Sequence, residues 1–358
     1  MVVIRLALVA LAAAAVLLPL PATLIERDYS QGFYPWIQAG VTRASNGVSF
    51  ALLDLLLVAG VLLLANIAHH AISRWRRGER FRALSMAAQR LVTWSGLACL
   101  AFLLLWGFNY RRVPLREKLD FRAERANLDR LRAVADGAVS QINALHDPAH
   151  QAGWPEWRDL PADLGGAFAM TERELGARLP AVPGVPKWSV LTLYFERAGI
   201  DGMTDPFFLE VLVNRSLLPF ERPFVAAHEW AHLAGHADEA EANFVGWLTC
   251  LHGGRPARYS AWLSISGTLF SALPPGERAA FAKKLGEGPR RDLQEVRRRI
   301  AREWQTMRRA SWRIYDRYLK ANRVEAGVAS YDQVTLLILG TRFTDGWVPV
   351  RSGASTGR

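Results

Sequence analysis

The sequence predicts an α+β protein, mainly α with a small β-sheet, in which an N-terminal three-helix transmembrane region precedes a soluble body. Three observations predict this. Apolar runs of about the length that crosses a bilayer occupy the first third of the 358 residues. Beyond them, apolar residues recur at helical spacing over 123–145 and from Leu293 to Tyr315. Among those helical stretches lie two short runs rich in β-branched and aromatic residues. Hydrophobic residues make up 51% of the chain and the net charge is +11. A basic balance suits either nucleic acid or an anionic membrane surface. The apolar runs favour the lipid bilayer as partner, and with no nucleic-acid motif in the chain no nucleic acid is expected. Cys99 lies in an apolar run and Cys250 far from it, so no disulfide framework is expected, and a cysteine-based zinc site lacks its ligands.

Residues 1–112 form the membrane region. Residues 2–25, 50–68 and 91–108 each approach the ~20 residues that a helix needs to cross ~30 Å of hydrocarbon. The first run also has the shape of a secretory signal, with Arg5 ahead of an apolar core, and Pro19 and Pro21 interrupt it as a straight helix. Retention as a span is the preferred reading. The loop after the second run carries Arg74, Arg76, Arg77, Arg80 and Arg82 and ends at Arg90, against one acid, Glu79. The positive-inside rule puts that loop and the N-terminus in the cytoplasm, and everything after the third run outside. The expected location is a bacterial inner membrane with the soluble body on the periplasmic side. Trp106, Phe108 and Tyr110 read as an aromatic belt at the outer interface. Asp54 enters the second run. An acid inside a membrane is a functional candidate, but a place so near the start of the run puts it at wet headgroup level.

Residues 113–185 read as a helical and loop connecting region. Leu128, Leu131, Val134, Val139, Ile142 and Leu145 define a helix over 123–145. Residues 146–165 read as a loop, 171–179 as a short helix and 180–186 as a proline-marked break. The next region, 186–345, carries the two strand candidates, 189–195 and 207–213, with a turn at 202–205 between them. Downstream, Leu293, Val296, Ile300, Trp304, Met307 and Tyr315 predict one long amphipathic helix with a basic outer face. Residues 334–339 are apolar but too short to span a membrane. Residues 346–358 read as a disordered tail.

The chemistry lies in His228-Glu229-Trp230-Ala231-His232, an H-E-x-x-H pattern. Residues four apart on a helix share a face, so His228 and His232 can grip one metal ion, with Glu229 beside them as a base for water. Catalytic zinc needs a third protein ligand. Gly235 is a natural end for the first helix. Asp238 is a natural N-cap for a second helix that returns toward the metal. Glu239 is the preferred third ligand, with Asn243 one turn later as an outer partner that orients a ligating histidine. Asp238 is the next choice, and Glu241 and His236 follow. A donor for an oxyanion is also needed. Tyr259 is preferred over His252 and Arg258, although no spacing rule selects it.

At these residues the chain resembles a gluzincin, the zincin group whose third ligand is a glutamate. The pattern H-E-x-x-H followed by E-x-x-x-N matches His228, Glu229, His232, Glu239 and Asn243. Six residues separate His232 from Glu239, fewer than in most gluzincins. His228 through Asp238 also fits H-E-x-x-H-x-x-G-x-x-D, which resembles a metzincin with its last histidine replaced by aspartate. The whole chain is similar to a bacterial family of membrane proteins known only as a domain of unknown function. That likeness is carried by Tyr29-Ser30, Tyr34-Pro35, Phe50, Asp54, residues 106–110, residues 239–244, Tyr259-Ser260 and Ser330-Tyr331-Asp332. The resemblance implies a zincin-like metallopeptidase domain holding Zn²⁺ through His228, His232 and Glu239.

The expected function is that of a membrane-anchored zinc metallopeptidase acting on a protein or peptide substrate, with Glu229 as general base and Tyr259 as oxyanion donor. Two other readings remain open. One is a metal-stabilised membrane sensor or assembly factor without catalysis. The other is a zinc hydrolase of a non-peptide envelope amide. The sequence sets neither the substrate nor the oligomeric state.

Overall fold

Pro19 and Pro21 end the first helix, because a proline ring supplies no N–H and clashes with the preceding turn. In the computed structural model, which describes residues 2–322 and 333–353, helix α1 (Val2–Leu17) stops two residues before Pro19. The chain then turns through the single turn α2 (Ala22–Leu24), a wider π-type stretch Ile25–Phe33, and α3 (Tyr34–Asn46). The two halves of this segment meet at 107°. The first apolar run is thus one half of a bent pair, interrupted where Pro19 and Pro21 predict a break.

Helices α4 (Leu52–Arg76) and α5 (Arg80–Leu105) are long and apolar enough to cross a membrane, and the bent pair makes a third span if its halves count as one. A tight turn joins α4 to α5, with Gly78 at φ +85°. Arg80, Arg82 and Arg90, expected in the loop between spans, lie inside α5. Both α1 and α4 pack along α5.

Beyond α5 comes a short helical turn, Gly107–Arg111, then α6 (Leu115–Lys118) and α7 (Leu128–Ala152), which Asn127 caps by accepting from the Arg130 N–H. α7 runs through Pro148, and α8 (Leu160–Glu174) starts soon after, so most of the loop expected over 146–165 is helical. The buried stripe of α7 continues to Ala149, and that packing outweighs the one hydrogen bond lost at Pro148.

The sheet has three strands: β1 (Pro186–Lys187), β2 (Gly202–Asp205) and β3 (Glu210–Val213). Their order is β1-β3-β2, with β1 parallel and β2 antiparallel to the fully buried β3. Gly202 pairs with Val213 and Asp205 with Glu210. Residues 202–205, expected as a turn, are therefore a strand. Residues 189–195, expected as a strand, are a turn leading into α9 (Thr192–Ala198). Asp54 sets that turn by accepting from Ser189 Oγ at 2.5 Å and from Val190 N–H at 3.0 Å. Trp188, Val190 and Leu193 are left exposed beside the start of α4.

Five helices follow: α10 (Arg222–Leu233), α11 (Glu239–Leu251), α12 (Arg255–Ala272), α13 (Pro275–Lys284) and α14 (Glu287–Ile300). Then come α15 (Gln305–Ala321) and α16 (Gln333–Gly340). The long helix expected from Leu293 to Tyr315 is broken between α14 and α15. There Trp304 is extended, donates its N–H to the Arg197 carbonyl at 3.0 Å and lies under the Arg197 guanidinium. Residues 346–353, expected in a disordered tail, are folded onto the body. Asp120 N–H donates to Val350 O at 2.8 Å, and the Trp347 ring packs against Trp247 and Trp262. Ser330, Tyr331 and Asp332 and residues 354–358 lie outside the described residues.

One apolar core unites these parts. It holds Tyr29, Tyr34 and Trp106 from around the spans together with Leu131, Phe168, Trp230, Trp247 and Ile338 from the body.

Candidate metal centre

α10 starts with Pro223 in its first turn, where a missing N–H costs nothing. Its end is set by Gly235 at φ +84°, a left-handed turn that lets His236 N–H reach the Ala231 carbonyl at 3.0 Å. Asp238 then caps α11 by accepting from the N–H groups of Ala240 and Glu241. Gly235 and Asp238 thus act as the sequence predicts, and Asp238 serves as a cap and not as a metal ligand. The hairpin brings α11 back across α10. Gly246 permits the close crossing, since a Cβ there would lie 3.0 Å from the backbone nitrogen of His228.

The result is a convergence of His228, His232 and Glu239. The two imidazole Nε2 atoms are 3.2 Å apart, and they stand 3.3 Å (His228) and 3.5 Å (His232) from Glu239 Oε2. Ligands bound at the usual 2.0–2.1 Å around a tetrahedral ion lie about 3.3 Å from one another. The three measured separations match that edge length. Glu239 Oε2 is buried without a hydrogen-bond partner, which is costly unless a cation meets it. Two nitrogens and a carboxylate oxygen are also the donor set that zinc takes. The residues fit the ion.

Outer groups hold these ligands. The His232 Nδ1 faces the His236 carbonyl at 2.7 Å, so Nδ1 donates to it and Nε2 is the atom turned to the cluster, where an ion would take the place of its proton. That orienting role, expected of Asn243, belongs to a backbone carbonyl. Tyr315 of α15 donates its hydroxyl to Glu239 Oε1. Burial pushes the Glu239 carboxyl up, but His232 and His228 outweigh it and hold it well below the usual range. Burial works against charge on His232, yet Glu239 beside it raises the imidazole to about 9.

Glu229 is buried next to the cluster. Thr204 of β2 donates its hydroxyl to Glu229 Oε2 at 2.9 Å, and Gly202 leaves room for Oε1. Burial raises Glu229 above the ordinary carboxylate range, against the pull of His228 and His232. A carboxylate raised in this way is a stronger base than a solvated one.

The end of α10 is fastened to segments around the spans. Its last carbonyls take donors from those segments. Trp106 Nε1 donates to His232 O at 2.8 Å, Tyr34 OH to Leu233 O at 2.7 Å, and Arg112 to Ala234 O at 3.2 Å.

The other proposed site residues lie elsewhere. Tyr259 is fully buried and donates to Asp292 Oδ2 at 2.5 Å, among His146, His150 and Trp154, so its hydroxyl is committed away from the His228 cluster. His236 faces Glu172 and Glu241, and His252 faces Glu174. Sequence reasoning placed Tyr315 only on a packing helix and gave no site role to Thr204, Gly202 or Trp106.

Fold and site together define a mainly helical protein, with two or three helices apolar enough to cross a membrane and a His-His-Glu group that could hold a metal ion. A family model described as "Protein of unknown function (DUF3810)" matches residues 29–339, and the chain belongs to that family. No curated protein and no solved structure matches the chain.

Proposed function

We propose that this protein is a membrane-anchored zinc metallopeptidase of gluzincin type. The observation that carries the proposal is the set of ligand separations, 3.2, 3.3 and 3.5 Å, with a buried and unpartnered Glu239 oxygen among them. Such an ion, when bound, acidifies water and polarises a carbonyl. Glu229 takes the proton of the attacking water and passes it to the leaving amine. Thr204 holds the carboxylate in place for both transfers. Tyr315, whose hydroxyl lies at the cluster, takes the place of Tyr259 as the donor to the developing oxyanion by turning its one O–H from Glu239 Oε1. β2 is an edge strand beside Glu229, and a substrate backbone can pair with it in extended form. The arginine-rich end of α4 and the start of α5 lie on the cytoplasmic side, with the body on the periplasmic side.

Three protein ligands plus a buried base favour hydrolysis over a purely structural ion, which takes four protein ligands. The test is the full-length protein in detergent, loaded with zinc and given an unstructured polypeptide. Hydrolysis is expected, and Glu229→Gln is expected to lower it by about 10²–10⁴-fold with the ion retained. Zinc-loaded wild type without hydrolysis, or a fully active Glu229→Gln, removes the proposal. His228→Ala is expected to lose the ion.

A further inference from the structure

A second group of ligating atoms lies outside the site just described. His146 and His150 stand one turn apart on α7, and Asp292 reaches them from α14. His150 Nε2 is 2.9 Å from Asp292 Oδ2, and His146 Nε2 is 3.7 Å from the same oxygen. These distances straddle the ligand–ligand edge of about 3.3 Å on a tetrahedral ion with bonds near 2.0–2.1 Å.

The surroundings prepare both partners. His146 Nδ1 lies 2.6 Å from Asp147 Oδ1. A carboxylate only accepts, so Nδ1 donates to Asp147, and Nε2 is the ring atom left facing Asp292. Tyr259 fixes the carboxylate by donating to Asp292 Oδ2 at 2.5 Å. Gly288 in the first turn of α14 makes the approach possible, since a Cβ at that position would overlap the His146 ring. Trp154 and Phe220 wall the His150 side. The His150 side chain keeps 37% of its surface, so the group opens to solvent, which can complete a coordination shell.

We propose that His146, His150 and Asp292 form a second site for a divalent ion of the zinc class, and that this ion clamps α7 to α14. Two imidazoles and one carboxylate suit zinc far better than magnesium or calcium, which prefer all-oxygen shells. Ligands from two helices mean that binding stabilises their packing. This inference does not rest on the peptidase reading.

The experiment counts ions on the full-length protein in detergent micelles, stripped with chelator and then dialysed against zinc. Wild type is expected to hold two zinc ions. His150→Ala is expected to hold one, the paired His228→Ala and His232→Ala variant one, and the combination none. Zinc is expected to raise Tm less in His150→Ala than in wild type. His150→Gln, which keeps a polar side chain on this partly open face, is a second variant in case the alanine protein misfolds. Wild type and His150→Ala with equal zinc content overturn the proposal, whether the shared count is one or two. The two sites fail separately. An ion lost with His228 and His232 but kept without His150 leaves only the first site standing. The reverse pattern leaves only the second.

Discussion

At position 202 a single methyl group decides where Glu229 can sit. A Cβ there would lie 2.5 Å from Glu229 Oε1, well inside contact distance. Gly202→Ala therefore pushes the carboxylate away from its Thr204 partner while leaving His228, His232 and Glu239 in place. Hydrolysis is expected to fall by about 10²-fold, in line with losing a positioned base, with zinc content unchanged. Parallel kinetics and metal analysis check this, and an active alanine variant would separate Gly202 from the base. The same residues show what a sequence reveals at this scale. The convergence of His228, His232 and Glu239 was readable because residues that one helical hairpin brings together are written in local spacing. Asp238 was readable as a cap, since a side chain that accepts from the next N–H groups is a local device too. Tyr315 and Thr204 were not, because each reaches the site across the fold from another element. Tyr259 was chosen for want of any such rule, and its hydroxyl serves Asp292 instead.

Between elements, the site depends on how closely α10 and α11 cross. A Cβ at Gly246 would meet backbone atoms of His228, the nitrogen at 3.0 Å and the Cα at 3.1 Å, and backbone cannot swing aside as a side chain can. Gly246→Ala must part the helices, and overpacking of this kind costs about 1–3 kcal/mol. His228 rides on one helix and Glu239 on the other, so the same parting stretches the ligand set. Zinc affinity is expected to drop by about tenfold or more, measured by competition with a chromophoric chelator, alongside lower stability in denaturant. Reduced stability with unaltered affinity would mean that the hairpin moves as one piece. Of the helices, α7 was legible from apolar periodicity, and α10 and α11 from the H-E-x-x-H spacing with Gly235 and Asp238. The failures have physical causes. Residues 189–195 alternate like a strand, but Asp54 captures Ser189 and Val190 and turns the chain there. The break between α14 and α15 contains neither Gly nor Pro, and is set by the contact of Trp304 with Arg197.

Over the whole molecule, the segments flanking the long apolar helices and helix α10 are tied into one unit. The apolar runs themselves were visible in the sequence, because about 20 apolar residues is a signal that composition alone carries. Their attachment was invisible, since a side chain that donates to a distant carbonyl leaves no periodic trace. Yet Trp106, Tyr34 and Arg112 supply donors to three successive carbonyls at the end of α10. Leu53 N–H donates to Glu210 Oε1 at 2.9 Å, while Lys187 Nζ holds Glu210 Oε2 at 2.8 Å, so the first turn of α4 is pinned to the sheet as well. Each buried carbonyl left without its donor costs about 1–3 kcal/mol. His232 O also accepts from the Gly235 N–H, so the loss orphans Leu233 O and Ala234 O and removes about 2–6 kcal/mol from a total stability on the order of 5–15 kcal/mol, before any lost core packing is counted. A fragment of residues 113–358 is therefore expected to lack a fixed α10, to aggregate or give a weak near-UV circular dichroism signal, and to bind zinc at the His228 site far more weakly than the full chain. Competition titration against the intact protein in detergent measures the difference. A fragment that folds cooperatively and takes up zinc there with undiminished affinity would show that the spans only tether the site, whereas the hydrogen bonds to the end of α10 require that they help to build it.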